Sequence, residues 1–265
     1  MSESLFPLFP LFPLDTVLFP GCVLDLQIFE ARYLDMLTAC MKRGEGFGVV
    51  GLVEGREVGV AAERFAEIGC EALIRDWQQQ PNGLLGLRVE GGRRFKVVRS
   101  QVQRDQLTLA EVEWLDAPSD AIEASDISDA SAAGDSRHVD DFADADATRN
   151  AGETGATRNA DNVSVDSRAS VSAQSGAASV TGPQPLLEEH ADLVALLSAL
   201  AEHPMVAALG MPQAPLNQQV LANQLAYLLP FTSAQKVAVL KLNDPLQRLA
   251  QIQILLDQLQ SESGV

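Results

Sequence analysis

Cysteine is scarce in this chain of 265 residues: Cys22, Cys40 and Cys70 are an odd set with no CxxC pair. That argues against a disulfide framework or a cysteine zinc site, and it suits a reducing cytosol. The three histidines, His138, His190 and His203, are scattered with no HxxxH spacing, so a histidine metal centre has no basis either. Lysine is confined to Lys42, Lys96, Lys236 and Lys241, and none follows a glycine, which excludes a phosphate-cradling P-loop. No Gly-x-Ser-x-Gly elbow offers a hydrolase nucleophile. Basic charge is short as well: 19 Lys and Arg against 36 Asp and Glu leave a net charge of −17. Such a chain repels phosphate backbones, so no nucleic-acid partner is expected. No apolar run reaches the roughly 18 residues of a membrane span. The apolar start has no basic flank and carries a proline every third residue, so neither a signal peptide nor a membrane partner is expected. The expectation is a cytoplasmic protein that is not an enzyme and holds no cofactor.

Aromatic residues make up only 5% of the chain, yet Phe6, Phe9, Phe12 and Phe19 fall in its opening stretch. There the triplet Leu5-Phe6-Pro7 recurs as Leu8-Phe9-Pro10 and Leu11-Phe12-Pro13. Proline donates no ladder hydrogen bond, so only part of this run can be strand, and on a sheet edge. Hydrophobic residues are 46% of the chain, enough for a substantial core.

Composition divides the chain into zones: 1–116, rich in strand signals; 117–183, of low complexity; and 184–265, rich in helix signals. In the first zone Glu30–Arg43 carries Tyr33, Met36, Leu37, Cys40 and Met41 at the spacing of one helix face, and Gly44 suits its end. Phe47–Val53 reads as a strand buried on both sides, and Glu57–Ala61 as its return. Gly69–Gln79 and Leu84–Gly91 flank the hairpin signal Pro81-Asn82-Gly83. Arg93–Gln103 and Leu107–Leu115 flank Arg104-Asp105-Gln106. Several short strands with one helix suggest a small closed or partly closed barrel.

The middle zone holds 12 acidic and 4 basic side chains and little to bury. Ala147–Ala151 and Ala156–Ala160 repeat the same pentapeptide within it. Such composition cannot offset a backbone entropy cost of about 1–2 kcal/mol per residue, so a disordered acidic insertion is expected. The third zone has helix punctuation. Pro185 suits a first turn, Leu216–Leu229 ends at Pro230, Thr232 or Ser233 caps a short helix through Lys241, and Asn243-Asp244-Pro245 opens the last. Four helices are expected, forming a bundle.

Read in order, Leu11–Asp15, Val17-Leu18-Phe19-Pro20-Gly21 and Ile28-Phe29-Glu30-Ala31-Arg32-Tyr33 resemble the opening of the N-terminal substrate-binding domain of the Lon protease family. The likeness continues through Phe47–Val50, Glu57–Gly59, Ile68–Ala72 and the Gly91–Phe95 turn, then through Leu229-Pro230, Lys236, Leu240, Asp244 and Arg248-Leu249. The extra triplets and the 117–183 insertion depart from the family pattern. The resemblance implies an α+β fold, a β-rich pseudobarrel with one helix followed by a four-helix bundle. It also implies a stand-alone member without the ATPase and peptidase domains.

By the same resemblance the chain is expected to be a recognition module for exposed hydrophobic segments of unfolded or partner proteins. Two rivals are an adaptor with a dedicated partner, and a small-molecule site inside the barrel. The candidate peptide-binding residues are Phe19, Trp77 and Arg94. For Glu30 and Arg32 an ion pair or a carbonyl contact with the barrel is the stronger reading.

Overall fold

A computed structural model of the chain describes residues 8–81, 84–116, 184–212 and 214–263. The expected insertion at 117–183, the triplet Leu5–Pro7, His138 and the hairpin residues Asn82 and Gly83 lie outside the described residues. The described residues on the two sides of the insertion belong to one compact unit.

The strands are β1 (Phe9–Leu14), β2 (Val23–Ile28), β3 (Phe47–Glu54), β4 (Arg64–Gln79), β5 (Leu85–Val102) and β6 (Thr108–Trp114), with α1 (Ala31–Arg43) between β2 and β3. β1 runs parallel to β3, with Leu11 opposite Gly48, and antiparallel to β6, with Phe9 opposite Ala110. β3 pairs with β4, β4 with β5 and β5 with β6, so five strands close into a ring. β2 adds to the first half of β5, with Val23 opposite Glu90. Closure removes most free strand edges.

β1 is not the edge strand that its prolines suggested. Pro10 pairs only toward β6 and Pro13 only toward β3, so each proline has a ladder on one side. Both faces of β1 are buried. Leu11 faces the inside of the ring with Val50, Phe95 and Ala110. Phe12 stacks on Tyr33 of α1 with ring centroids 4.0 Å apart.

Phe95 fills the ring. It is fully buried, and two glycines make room for it: a Cβ on Gly69 would lie 2.5 Å from its ring, and one on Gly48 would lie 2.7 Å away. The small-residue windows and the large ring are one packing solution.

Helix α1 begins after Glu30 and ends at Gly44, whose φ of 66° is the left-handed conformation glycine adopts cheaply. Arg32 pairs with Glu30 at 3.0 Å and donates to the Gln106 carbonyl at 2.9 Å, so it serves as both ion pair and carbonyl partner.

Two strand expectations are corrected. Glu57–Ala61 is not a strand, because Gly55 and Gly59 take φ of 107° and 100° and coil the chain there. Leu84–Gly91 and Arg93–Gln103 are not separate strands around a turn but the single strand β5. Gly91 permits close approach: the Gly21 amide donates to its carbonyl at 2.7 Å, and a Cβ on Gly91 would fall 2.0 Å from the Phe19 carbonyl oxygen.

The helical part consists of a 3-10 turn at Glu188–His190, then α2 (Ala191–Ala201), α3 (Pro204–Ala207), α4 (Gln218–Leu228), α5 (Ser233–Leu240) and α6 (Pro245–Ser263). Thr232 and Gln235 form a reciprocal capping box at α5, and the Asp244 carboxylate accepts from the Leu246 amide at α6. The four expected helices are present with the short α3 added, and they pack on the barrel as well as on one another. α4 is the hub for α2, α5 and α6, while α5 lies on β3 and β4. The reason is the shared core: Phe19, Cys22, Leu37 and Val49 pack in one cluster with Leu221, Leu225, Leu240 and Ile252.

Candidate functional site

Arg94 and Phe19 are interior residues. Phe19 is wholly buried in the Pro20-Gly21 corner. Arg94, only 2% exposed, binds Asp116 through contacts of 2.7–3.2 Å. Its Nη1 also donates to the carbonyls of Leu240 and Leu242 at 2.9 and 2.8 Å, where α5 ends. Helix ends leave such carbonyls unpaired, and a guanidinium satisfies several at once. Neither side chain presents itself to a peptide; both hold the barrel to the helices.

Beside this clamp Arg248, fully buried, donates to Leu242 and Asn223, each at 2.7 Å. The Asn223 amide in turn donates to the Pro20 carbonyl at 3.0 Å. Burial first, then the Arg94 charge, pulls the Arg248 guanidinium down to about 10. Burial works against the Asp116 carboxylate, but the hydrogen bonds and charge of Arg94 outweigh it and hold that carboxyl below the ordinary value of 3.8. A depressed pKa in the folded state gives stability that is present above the unfolded value and lost as pH falls toward the folded one. Acidification from about pH 5 to pH 3 should therefore weaken the protein, and the Asp116→Asn variant should show a shallower acid slope in denaturant titrations. Equal slopes would remove Asp116 from the acid response.

Trp77 is the candidate that reaches solvent, at 58% exposure on β4. It sits opposite Leu87, beside a polar groove of about 430 Å³ whose wall includes Asp25, Asp76 and Arg88. Arg88 grips Asp25 with two bonds of 2.8 and 2.9 Å, and this pair holds the Asp25 carboxyl low.

A second groove, of about 830 Å³, lies where the start of β1, the α1–β3 turn and β4 to β6 come together. Phe9, Leu73, Val98, Val112 and Trp114 give it an apolar floor, and Glu45, Glu71, Arg93, Glu111 and Glu113 give it a charged rim. Phe9 packs edge-on against Trp114 at 5.3 Å and against Phe95 at 5.6 Å. Three rings thus run from the ring interior to the groove. Arg93 lies 3.9 Å over the Trp114 ring, and its Nε donates to Glu71 at 3.2 Å. Val98 stands 64% exposed.

The adjacent arginines therefore divide between interior and surface, Arg94 in the clamp and Arg93 in the groove. Sequence reasoning passed over Phe9, Val98 and Trp114 as groove residues. The one available signal was the alternation of Val112 and Trp114 along β6, which marks a shared face without saying what covers it.

The buried thiols offer no nucleophile here. Burial pushes the Cys22, Cys40 and Cys70 thiols up. Among the described residues, no group of His, Cys, Asp and Glu is placed to hold a metal ion.

The family described as the ATP-dependent protease La (LON) substrate-binding domain matches residues 9–258. This chain belongs to that family. The Lon N-terminal domain protein from Xanthomonas campestris is similar in structure, with 25% sequence identity and a TM-score of 0.58, over 94% of this chain and 98% of that one. The N-terminal domain of the Mycobacterium avium complex Lon protease aligns at 16% identity and a TM-score of 0.47, over 95% of this chain and 97% of that one. No curated protein matches the chain. Substrate recognition is thus the general role of this Lon-type domain. No described helix is long and apolar enough to cross a membrane.

Proposed function

We propose that this Lon-type domain receives extended apolar segments of protein chains in the groove floored by Phe9, Leu73, Val98 and Trp114. The observation that carries the reading is an apolar floor, with an aromatic anchor backed by the ring core, left open beside a charged rim. Desolvated aromatic residues supply most of the binding energy in such sites, and a surrounding polar rim excludes water. Binding costs chain ordering, so affinity is modest for one segment and grows when several segments of one unfolded chain engage. The reading is non-enzymatic and excludes nucleic acid on charge. It places the protein in the reducing cytosol, in keeping with three free buried cysteines.

The experiment is binding of a chemically unfolded model protein, followed by crosslink mapping. Trp114→Ala should weaken binding by about tenfold or more. Because Trp114 also packs on Phe9, the exposed Val98→Asp variant is the control that should weaken binding without unfolding the protein. Full binding by a folded Val98→Asp protein, with crosslinks away from the groove, would overturn the reading. Crosslinks gathered at Trp77 would favour the second reading, an adaptor that docks a dedicated partner through that exposed ring. The third reading, a small-molecule site inside the barrel, is disfavoured by the Phe95 ring that fills it.

A further inference from the structure

We infer that β1 fits its slot in two registers related by one Leu-Phe-Pro triplet. The heptapeptides Leu5–Leu11 and Leu8–Leu14 are identical, each reading Leu-Phe-Pro-Leu-Phe-Pro-Leu. In the structure the second copy supplies β1, with Leu11 inside the ring, Phe12 stacked on Tyr33 and Phe9 on Trp114. Sliding the chain by three residues puts Leu8, Phe9 and Phe6 into those three positions. Pro7 and Pro10 then take the places of Pro10 and Pro13.

The prolines make this slide permissible and shorter ones not. Every position that lacks an N–H still lacks one after a three-residue shift, so the ladders to β3 and β6 are reproduced. A shift of one residue places proline where other residues stand and sends each side chain to the opposite face. A shift of two keeps the faces but still misplaces both prolines. An odd shift is tolerated only because the sequence repeats with the same odd period.

The exchange is also balanced in composition. One leucine, one phenylalanine and one proline leave the slot as Phe12-Pro13-Leu14, and Leu5-Phe6-Pro7 enter. The leaving residues join the connection to β2 at Asp15, which is exposed. Lengthening a connection by three residues has a small entropic cost. The wall that β1 gives the groove has the same composition in both registers, so the slip preserves the surface while allowing the terminal strand to move.

The test compares Phe12→Ala in the full chain and in a chain lacking Leu5–Pro7, which retains one heptapeptide and has no second register. The full chain recovers a phenylalanine over Tyr33 by slipping. Its loss in Tm from Phe12→Ala should be roughly half or less of the loss in the shortened chain, where the whole large-to-small penalty falls on the core. Phe9→Ala is the control. Either register then lacks one phenylalanine, so its loss in Tm should be the same in both chains. A second route needs no deletion. In the full chain the Phe6→Ala/Phe12→Ala pair leaves each register one phenylalanine short, so it should be less stable than Phe12→Ala alone. Equal Phe12→Ala losses in the full and shortened chains, or a double variant no weaker than Phe12→Ala, would overturn the inference.

Discussion

Arg94→Ala should cost about 3–5 kcal/mol of folding stability, the range for removing one partner of a buried, hydrogen-bonded charge pair. Two losses act together and one small gain offsets them. Asp116 is left partly buried without the guanidinium that holds its carboxyl low. The Leu240 carbonyl loses its Arg94 donor at the end of α5, while the Leu242 carbonyl keeps Arg248. The Arg248 guanidinium loses a like charge beside it, which returns a little of the cost. The net remains a large loss because unsatisfied buried acceptors carry their full desolvation penalty. Lysine should rescue little, since one ammonium cannot reach a carboxylate and two carbonyls with fixed fork geometry. Denaturant unfolding would check this, and a loss under about 1 kcal/mol would show that the clamp is dispensable.

Phe95→Ala should rank with it, at about 3–5 kcal/mol. The ring is fully buried, and its neighbours cannot collapse inward. Gly48 and Gly69 bring backbone, not side chain, against it, and a backbone held in the ladders of a closed ring does not relax into a void. For a protein of this size the expected fall in Tm is roughly 2–4 °C per kcal/mol. The same substitution should also lower groove binding, because Trp114 rests on Phe95 at 6.0 Å and loses its backing. Phe95→Leu should recover much of the stability but less of the binding, because a leucine fills volume without presenting a ring edge to Trp114. Unchanged binding by a folded Phe95→Leu protein would uncouple the ring core from the groove.

Much of the secondary structure was legible in residues that act locally. Gly44 ends α1, Thr232 is the one of the two expected residues that caps α5, and Pro245 opens α6, each through contacts within a few residues of itself. The errors came where a local signal had a distant cause. Gly91 opens the Gly91–Phe95 segment that resembles a family turn; its real neighbour is the Phe19 carbonyl, far away in sequence. Pro10 and Pro13 looked like edge residues, and each is an edge on one side only, because the β3 and β6 ladders are staggered along β1.

The candidate site was less legible for the same reason. Alternation along its strand left Trp77 open between a half-exposed and a covered place, and the fold leaves it exposed. Phe19 and Arg94 were offered to a ligand, and the fold uses both inside.

By itself the sequence determined the family, the α+β composition, the helix boundaries set by caps and prolines, and the Leu-Phe-Pro repeat that leads into β1. These rest on backbone chemistry and on order along the chain. Only the tertiary structure decided which of Arg93 and Arg94 is buried, that Phe95 fills a closed ring, and that Phe9, Leu73, Val98 and Trp114 share one groove. Those outcomes depend on ring closure, which joins β1 to β6 across the length of the barrel sequence. Burial is a property of what a residue meets, and that is set by strands distant in the chain.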